Sequence, residues 1–270
     1  MREDGWQKRI ERAKRLANEY PFASEILNFY AKIAEFQQKL YETLERASRG
    51  AAKTTSLGAM AGPAELSALI AGFAPFLVLV EKCGPVTLSH AAHELHAAAQ
   101  EKHTELLNDY WDGSPSSSES STTRNFFAHA FLQPYAEFVR LRAEMNWDGY
   151  SGSTCPFCGR KPGVGVLRQQ GDGGKRALIC SFCLAEWEFR RIVCAGCGEE
   201  NHKNLPVYTA AQFDHVRVEC CDSCKRYLKT VDLTKTGLAD PVVDELASVP
   251  LDLWAREHNY EKLEWNVLQL

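Results

Sequence analysis

Apolar residues recur every three or four positions through the first 150 residues, the spacing of amphipathic helices that pack in a bundle. Pro21 interrupts this pattern, and Pro63 and Pro85 are well placed in the first turns of later helices. The last helix carries an aromatic stripe, which we expect in the core. The predicted helical segments are residues 10–20, 26–44, 63–80, 85–110 and 126–138.

Three shorter segments of this half also predict structure or location. The most apolar stretch, residues 66–80, is too short for the ~20 residues of a membrane-spanning helix, so we expect a core helix and no membrane span. Residues 112–123 are mostly Ser, Thr and other small or polar residues, and predict a flexible loop or linker. The start of the chain lacks the apolar segment of a secretory signal, which predicts a cytoplasmic protein.

The pattern changes near residue 150, where glycines, cysteines and short alternating runs replace long helices. Short strands are predicted in residues 176–180, 186–193 and 213–219, with a hairpin tip at residues 171–174. From Asp240 the spacing is helical again and predicts a closing helical segment that packs back on the core.

This organisation predicts an α+β protein. An N-terminal helical bundle is followed by two rubredoxin-like or zinc-ribbon modules with short antiparallel strands and a closing C-terminal helical segment. The predicted domains are residues 1–150, 151–192 and 193–270, the last including the helical segment.

Cysteine is the unusual feature of the composition. With 45% apolar and 24% charged residues and a formal net charge of −4, the chain is otherwise an ordinary globular protein. Of its ten cysteines, Cys83 and Cys220 stand apart, and the other eight form C-x-x-C pairs. These pairs are Cys155/Cys158, Cys180/Cys183, Cys194/Cys197 and Cys221/Cys224.

The spacing of the pairs predicts two four-cysteine metal sites. Intervals of 21 and 23 residues separate the first pair from the second and the third from the fourth, as in zinc ribbons. Gly159 and Gly198, each directly after a pair, allow the positive φ of a metal-binding knuckle. We therefore assign one site to the first two pairs and one to the last two. A cross-braced pairing, first with third and second with fourth, remains the alternative.

Sulfur-only tetrahedral sites suit zinc or iron, so we expect two such ions per chain, with all eight paired cysteines as ligands. Four protein ligands leave no open coordination position, which is typical of a structural site. The sequence shows no catalytic constellation beside them, and we expect a protein that is not an enzyme.

With these residues in view, the sequence resembles the FdhE family of formate dehydrogenase accessory proteins. The resemblance rests on Tyr20-Pro21-Phe22 between two helices and on the knuckle Cys155-Pro156-Phe157-Cys158-Gly159. It rests further on Cys180-Ser181-Phe182-Cys183 followed by Trp187, on residues 191–198, and on Cys221-Asp222-Ser223-Cys224 continuing through Asp232.

The resemblance implies a cytoplasmic maturation factor or chaperone. Its partner would be the catalytic subunit of a molybdenum or tungsten formate dehydrogenase, bound before export by the twin-arginine route. It also implies rubredoxin-like metal sites at the eight paired cysteines. No catalytic residue carries over.

Two other functions remain open. A rubredoxin-like iron site would fit a redox protein. A nucleic-acid-binding zinc ribbon is less well supported, because twelve basic and nine acidic residues in 151–232, combined with two zinc–thiolate centres, leave almost no net charge. We therefore expect no nucleic acid partner. The sequence leaves both a monomer and a homodimer open.

Overall fold

The computed structural model describes residues 3–48, 63–112, 119–143, 145–171 and 173–270. The chain forms two compact units. One contains residues 1–28, 146–266 and 270, and the other contains residues 29–145 and 267–269. Compactness alone does not test whether the predicted segments 1–150, 151–192 and 193–270 fold independently, so that division stays a prediction.

The helices follow the predicted apolar stripes with two corrections. The α-helices of the described residues are α1 (Glu3–Glu19), α2 (Ser24–Ala47), α3 (Pro63–Cys83), α4 (Val86–His96), α5 (Gln100–Asp112), α6 (Glu119–Arg142), α7 (Pro241–Ala247) and α8 (Val249–Glu257).

The segment predicted as one helix over residues 85–110 is in fact two helices. The Ala97 N–H donates to the His93 carbonyl (3.1 Å) at the end of α4, and α5 starts at Gln100. Residues 97–99 are all alanine, the strongest helix former, so local propensity contains no signal for this break.

The predicted loop at residues 112–123 is too long. Asp112 still belongs to α5, and Glu119 already begins α6. Residues 113–118 lie outside the described residues. Ser and Thr disfavour helix only weakly. A well-packed helix such as α6 can therefore extend into a Ser/Thr-rich segment.

Aromatic side chains fill the core of the helical unit. Phe126, Phe127 and Phe131 of α6 are almost completely buried, which confirms that the aromatic stripe is core. The ring of Phe131 lies 4.9 Å from that of Phe73 and 5.6 Å from that of Phe76, between ring centroids. In the described part of the chain, no helix combines the length and hydropathy needed to cross a membrane.

A single mixed sheet forms the centre of the other unit. Its strands are β1 (Pro162–Gln170), β2 (Gly173–Cys180), β3 (Glu186–Glu188), β4 (Val207–Thr209), β5 (Val216–Cys221), β6 (Arg226–Asp232) and β7 (Glu261–Lys262). The predicted strand at 186–193 is therefore shorter than expected, and the one at 213–219 begins later because Phe213 lies in a 3₁₀ turn.

The sheet consists of two similar three-stranded meanders. The strand order is β3-β2-β1-β6-β5-β4, with β7 added alongside β6. Strands β1 to β3 pair antiparallel, as do β4 to β6, and the parallel pair of β1 with β6 joins the two meanders. Gly171 has a φ of +55° between β1 and β2, so the hairpin tip lies at the predicted position. It is shorter than the predicted residues 171–174, because Gly173 and Gly174 already belong to β2.

The terminal helices pack against this sheet. Leu251 and Ala255 of α8 share a buried core with Val166 and Val218, which confirms the closing helical segment. The guanidinium of Arg12 on α1 donates to both carboxylate oxygens of Asp244 on α7, one of them at 2.9 Å. Helix α1 thus belongs to the sheet unit.

A buried network of charges fixes the C-terminal segment. The Lys229 ammonium on β6 is fully buried and lies 3.0 Å from the Glu245 carboxylate and 2.6 Å from the Asp252 carboxylate. Lys262 contacts the same two carboxylates, so two positive charges face two negative ones. Tyr227 donates a further hydrogen bond to Asp252 (2.7 Å).

Replacing Lys229 by methionine should strongly destabilise the protein, because two buried carboxylates would then share one cation. We expect the free energy of unfolding in urea to fall by about 3–5 kcal/mol. The control is Lys175→Met, since Lys175 pairs with Glu188 on an exposed part of the sheet. That change should cost less than about 1 kcal/mol. Equal losses in the two variants would contradict the importance of the buried network.

Candidate metal centres

Eight cysteine sulfurs come together in two groups of four. One group is Cys155, Cys158, Cys180 and Cys183, and the other is Cys194, Cys197, Cys221 and Cys224. Within each group all ligand atoms lie within 4.8 Å of one another. The first C-x-x-C pair thus meets the second and the third meets the fourth, so the cross-braced alternative is wrong.

The sulfur separations fit a tetrahedral metal ion. The Sγ atoms of Cys155 and Cys183 lie 3.5 Å apart, and those of Cys158 and Cys180 lie 3.3 Å apart. In the second group the corresponding two distances are both 3.7 Å. Tetrahedral bonds of about 2.3 Å to zinc place neighbouring sulfurs about 3.8 Å apart. Each group can therefore hold one zinc or iron ion.

Backbone amides in the knuckles point at the sulfurs. The Phe157 N–H donates to the Cys155 Sγ (3.4 Å), and the Phe182 N–H donates to the Cys180 Sγ (3.4 Å). In the second group the Gly196 N–H donates to the Cys194 Sγ (3.2 Å). Hydrogen bonds of this kind stabilise the thiolate form that binds metal.

The same backbone turn occurs after all four pairs. The residue that follows the second cysteine has a positive φ each time: +74° at Gly159, +55° at Leu184, +78° at Gly198 and +56° at Lys225. The sequence predicts the two glycines. It does not predict the turns at Leu184 and Lys225, because a positive φ is sterically unfavourable for residues with a side chain and nothing in the local sequence indicates it.

Burial makes the two most deeply buried thiols of the first centre poor acids until a cation is present. Desolvation raises the pKa of Cys180 and of Cys183 well above the ordinary value for a thiol. Four thiolates packed this closely also repel one another. A bound divalent or trivalent ion would offset both effects, and metal binding would then be coupled to folding of the knuckles.

The second centre is more open than the first. Cys197 is exposed, whereas three of the four cysteines of the first group are buried and the fourth is partly buried. The carboxylate of Glu199 holds the two knuckles of the second centre together. It accepts hydrogen bonds from Ser223 and from the Asn204 amide (3.1 Å), and these contacts lower the pKa of Glu199 to about 2.

The two unpaired cysteines lie outside both groups. Cys83 on α3 donates to the Leu79 carbonyl (3.0 Å), and burial raises the pKa of its thiol. Cys220 is buried beside Cys221, but its sulfur is not among the ligand atoms that gather in the second group. Four cysteines already complete each group, so neither residue is needed as a ligand.

Comparison with known proteins identifies similar sequences over the metal-binding half. A family model described as the central domain of FdhE matches residues 154–191, and one described as the C-terminal domain of FdhE matches residues 192–269.

Other similarities extend over nearly the whole chain. A protein named FdhE homolog from Aquifex aeolicus is 28% identical over 272 residues, which cover 96% of this chain and 93% of the relative. Another from Proteus mirabilis is 29% identical over 97% of this chain and 87% of the relative. The crystal structure of the FdhE protein from Pseudomonas aeruginosa superposes with a TM-score of 0.68 and 25% identity, covering 100% of this chain and 97% of that one.

The difference in exposure predicts the order in which the two centres lose their ions. A chelator that competes with the cysteine thiolates for metal should remove the ions in two phases, because it reaches Cys197 more easily than the buried ligands of the first centre. Release can be followed by the absorbance of a colorimetric chelator. Cys197→Ser should remove the fast phase and Cys155→Ser the slow one, while Cys83→Ser should leave both. A single phase in the unaltered protein, or loss of the slow phase in Cys197→Ser, would contradict this assignment.

Proposed function

Because this chain belongs to the FdhE family of formate dehydrogenase accessory proteins, we propose that it is a cytoplasmic maturation factor for such an enzyme. Its partner is the catalytic subunit of a molybdenum or tungsten formate dehydrogenase, which it binds before that subunit is exported. The eight paired cysteines hold two metal ions, zinc or iron, as ligands.

Both metal centres are closed, because each has four protein ligands. This observation best supports a role in binding another protein. Each group brings four cysteine sulfurs within 4.8 Å, so an ion bound there has its four tetrahedral positions filled by protein. A hydrolytic metal site keeps one position for water or substrate. Closed sites of this kind argue against hydrolysis, and we propose that the ions fix the shape of a surface, in keeping with an accessory protein that is not an enzyme.

The sheet offers such a surface. The ligands Cys180 and Cys221 are the last residues of β2 and β5, so each ion is attached directly to the end of a strand. Strands β1 and β6 pair with each other, which places both modules in one sheet. A client that contacts this sheet meets a surface whose turns are fixed by the two metal centres.

A pull-down under anaerobic conditions tests the proposal. The immobilised chain should retain a formate dehydrogenase catalytic subunit from the same organism when that subunit is produced without its partner subunits. The assembled enzyme should be retained at least tenfold less, because a maturation factor must release its finished client. Failure to retain the isolated subunit, or equal retention of the assembled enzyme, would refute the proposed role.

A further inference from the structure

One edge of the sheet is exposed and lacks charged residues. Strand β4 is the last in the order and, among the described residues, pairs only with β5. Its residues Val207, Tyr208 and Thr209 are all exposed. At the opposite edge, Glu186 and Glu188 of β3 carry charges, the usual protection of an edge against further pairing. Strand β4 has no such protection.

The hydrogen bonds of β4 show which backbone groups are available. The Cys220 N–H donates to the Pro206 carbonyl (2.9 Å), and Tyr208 lies opposite Val218. Inward and outward groups alternate along an antiparallel pair, so the N–H and C=O groups of Val207 and Thr209 face the outer edge. An extended peptide can pair with them as an additional strand.

A cavity of about 450 Å³ adjoins this strand. Its wall includes Val207 of β4, Arg217 and Glu219 of β5, and the segment from Arg191 to Gly196. Ile192 and Val207 are 60% and 52% exposed, so a ligand that enters meets aliphatic surface first.

Four arginines give this cavity an excess of positive charge over its one glutamate, even with the charge of about −2 that a zinc–thiolate centre would bring through Cys194 and Cys221. The single carboxylate of Glu219 is shared by two guanidinium groups, those of Arg176 and Arg217. Arg176 is buried, and its Nε has no hydrogen-bond partner among the described residues. Exposed Arg191 and partly buried Arg226 add two more guanidinium groups to the wall. A carboxylate is the complementary ligand, because guanidinium binds it with two parallel hydrogen bonds.

The two faces of β4 differ in chemistry. Val207 lines the arginine-rich cavity, whereas the ring of Tyr208 lies 4.5 Å from that of Trp254 on α8, between centroids. A strand added to this edge would therefore present alternate side chains to a cationic cavity and to an aromatic surface.

From this arrangement we propose that the outer edge of β4 binds an extended acidic segment of the client polypeptide by strand addition. Glutamate or aspartate side chains enter the cavity between Arg191 and Arg217, and the intervening apolar side chains lie on Tyr208 and Trp254. This proposal rests on the proposed function for the identity of the partner, but the site itself can be tested without the client.

The direct test uses a fluorescent ten-residue peptide in which glutamate alternates with valine. Fluorescence anisotropy should show binding to the full chain, and a peptide with lysine in place of glutamate should not bind. Methylation of one alternate set of peptide amides should abolish binding, while methylation of the other set should not, because only one set faces β4. No binding of the acidic peptide, or equal effects of the two methylations, would overturn the strand-addition site.

The matched variants are Arg191→Glu and Arg190→Glu. These adjacent arginines are both exposed, but Arg190 pairs with Glu200 and does not line the cavity. Arg191→Glu should weaken peptide binding at least tenfold and reduce its dependence on salt, mainly by slowing association. Arg190→Glu should change binding less than twofold. Equal effects of the two substitutions would overturn the role assigned to the cavity.

Competition by the catalytic subunit separates this inference from the proposed function. If the isolated subunit displaces the peptide, the client occupies the β4 edge. If the subunit is retained by the chain but does not displace the peptide, the β4 edge is not its docking site and this proposal fails. If the subunit is not retained at all while the peptide binds normally, the assignment of the client fails and the acidic-peptide site remains.

Discussion

Four cysteine sulfurs held within 4.8 Å of one another form a site that a cation would stabilise. As thiols they would leave weakly satisfied polar groups in a tight space, and as thiolates they would repel one another in a poorly solvated site. A tetrahedral ion removes both costs at once. Much of the sheet depends on this constraint, because each centre joins the turn before a meander to the turn between its last two strands.

Two bound ions would therefore provide stability that other domains obtain from a larger apolar core. Each meander together with the cysteine turn before it spans roughly 35 to 40 residues, a length at which burial of apolar surface alone rarely suffices for stability. The parallel pair of β1 and β6 then merges the two meanders, and the buried charges around Lys229 attach the C-terminal helices to the same sheet. Bound metal and the buried charges would together hold the sheet in shape, and among the described residues the outer edge of β4 has no paired strand.

The sequence predicts the local features of this design well. Glycines at residues 159 and 198 and the turn at Gly171 depend on residues close together in the chain, whereas the four C-x-x-C pairs are recognisable at longer range because cysteine in this spacing is typical of metal sites. The helical stripes are equally local. The aromatic stripe of α6 is visible in the sequence because burial of one helix face imposes its own periodicity.

Features that depend on distant residues were not predictable from one sequence. Nothing near Lys229 distinguishes it from a surface lysine, since its partners Glu245 and Asp252 lie 16 and 23 positions away. The pairing of β1 with β6 joins strands more than 50 residues apart. The break between α4 and α5 lies in a run of alanines, where packing overrides propensity.

We propose above all that eight cysteines bind two ions through sulfur alone. X-ray absorption spectroscopy at the metal edge, on protein purified anaerobically without added metal, tests it directly and identifies the metal. We predict a first shell of four sulfur atoms at about 2.3 Å around each ion, with no nitrogen or oxygen ligand. A shell that contains nitrogen or oxygen, or fewer than four sulfurs per ion, would contradict the account.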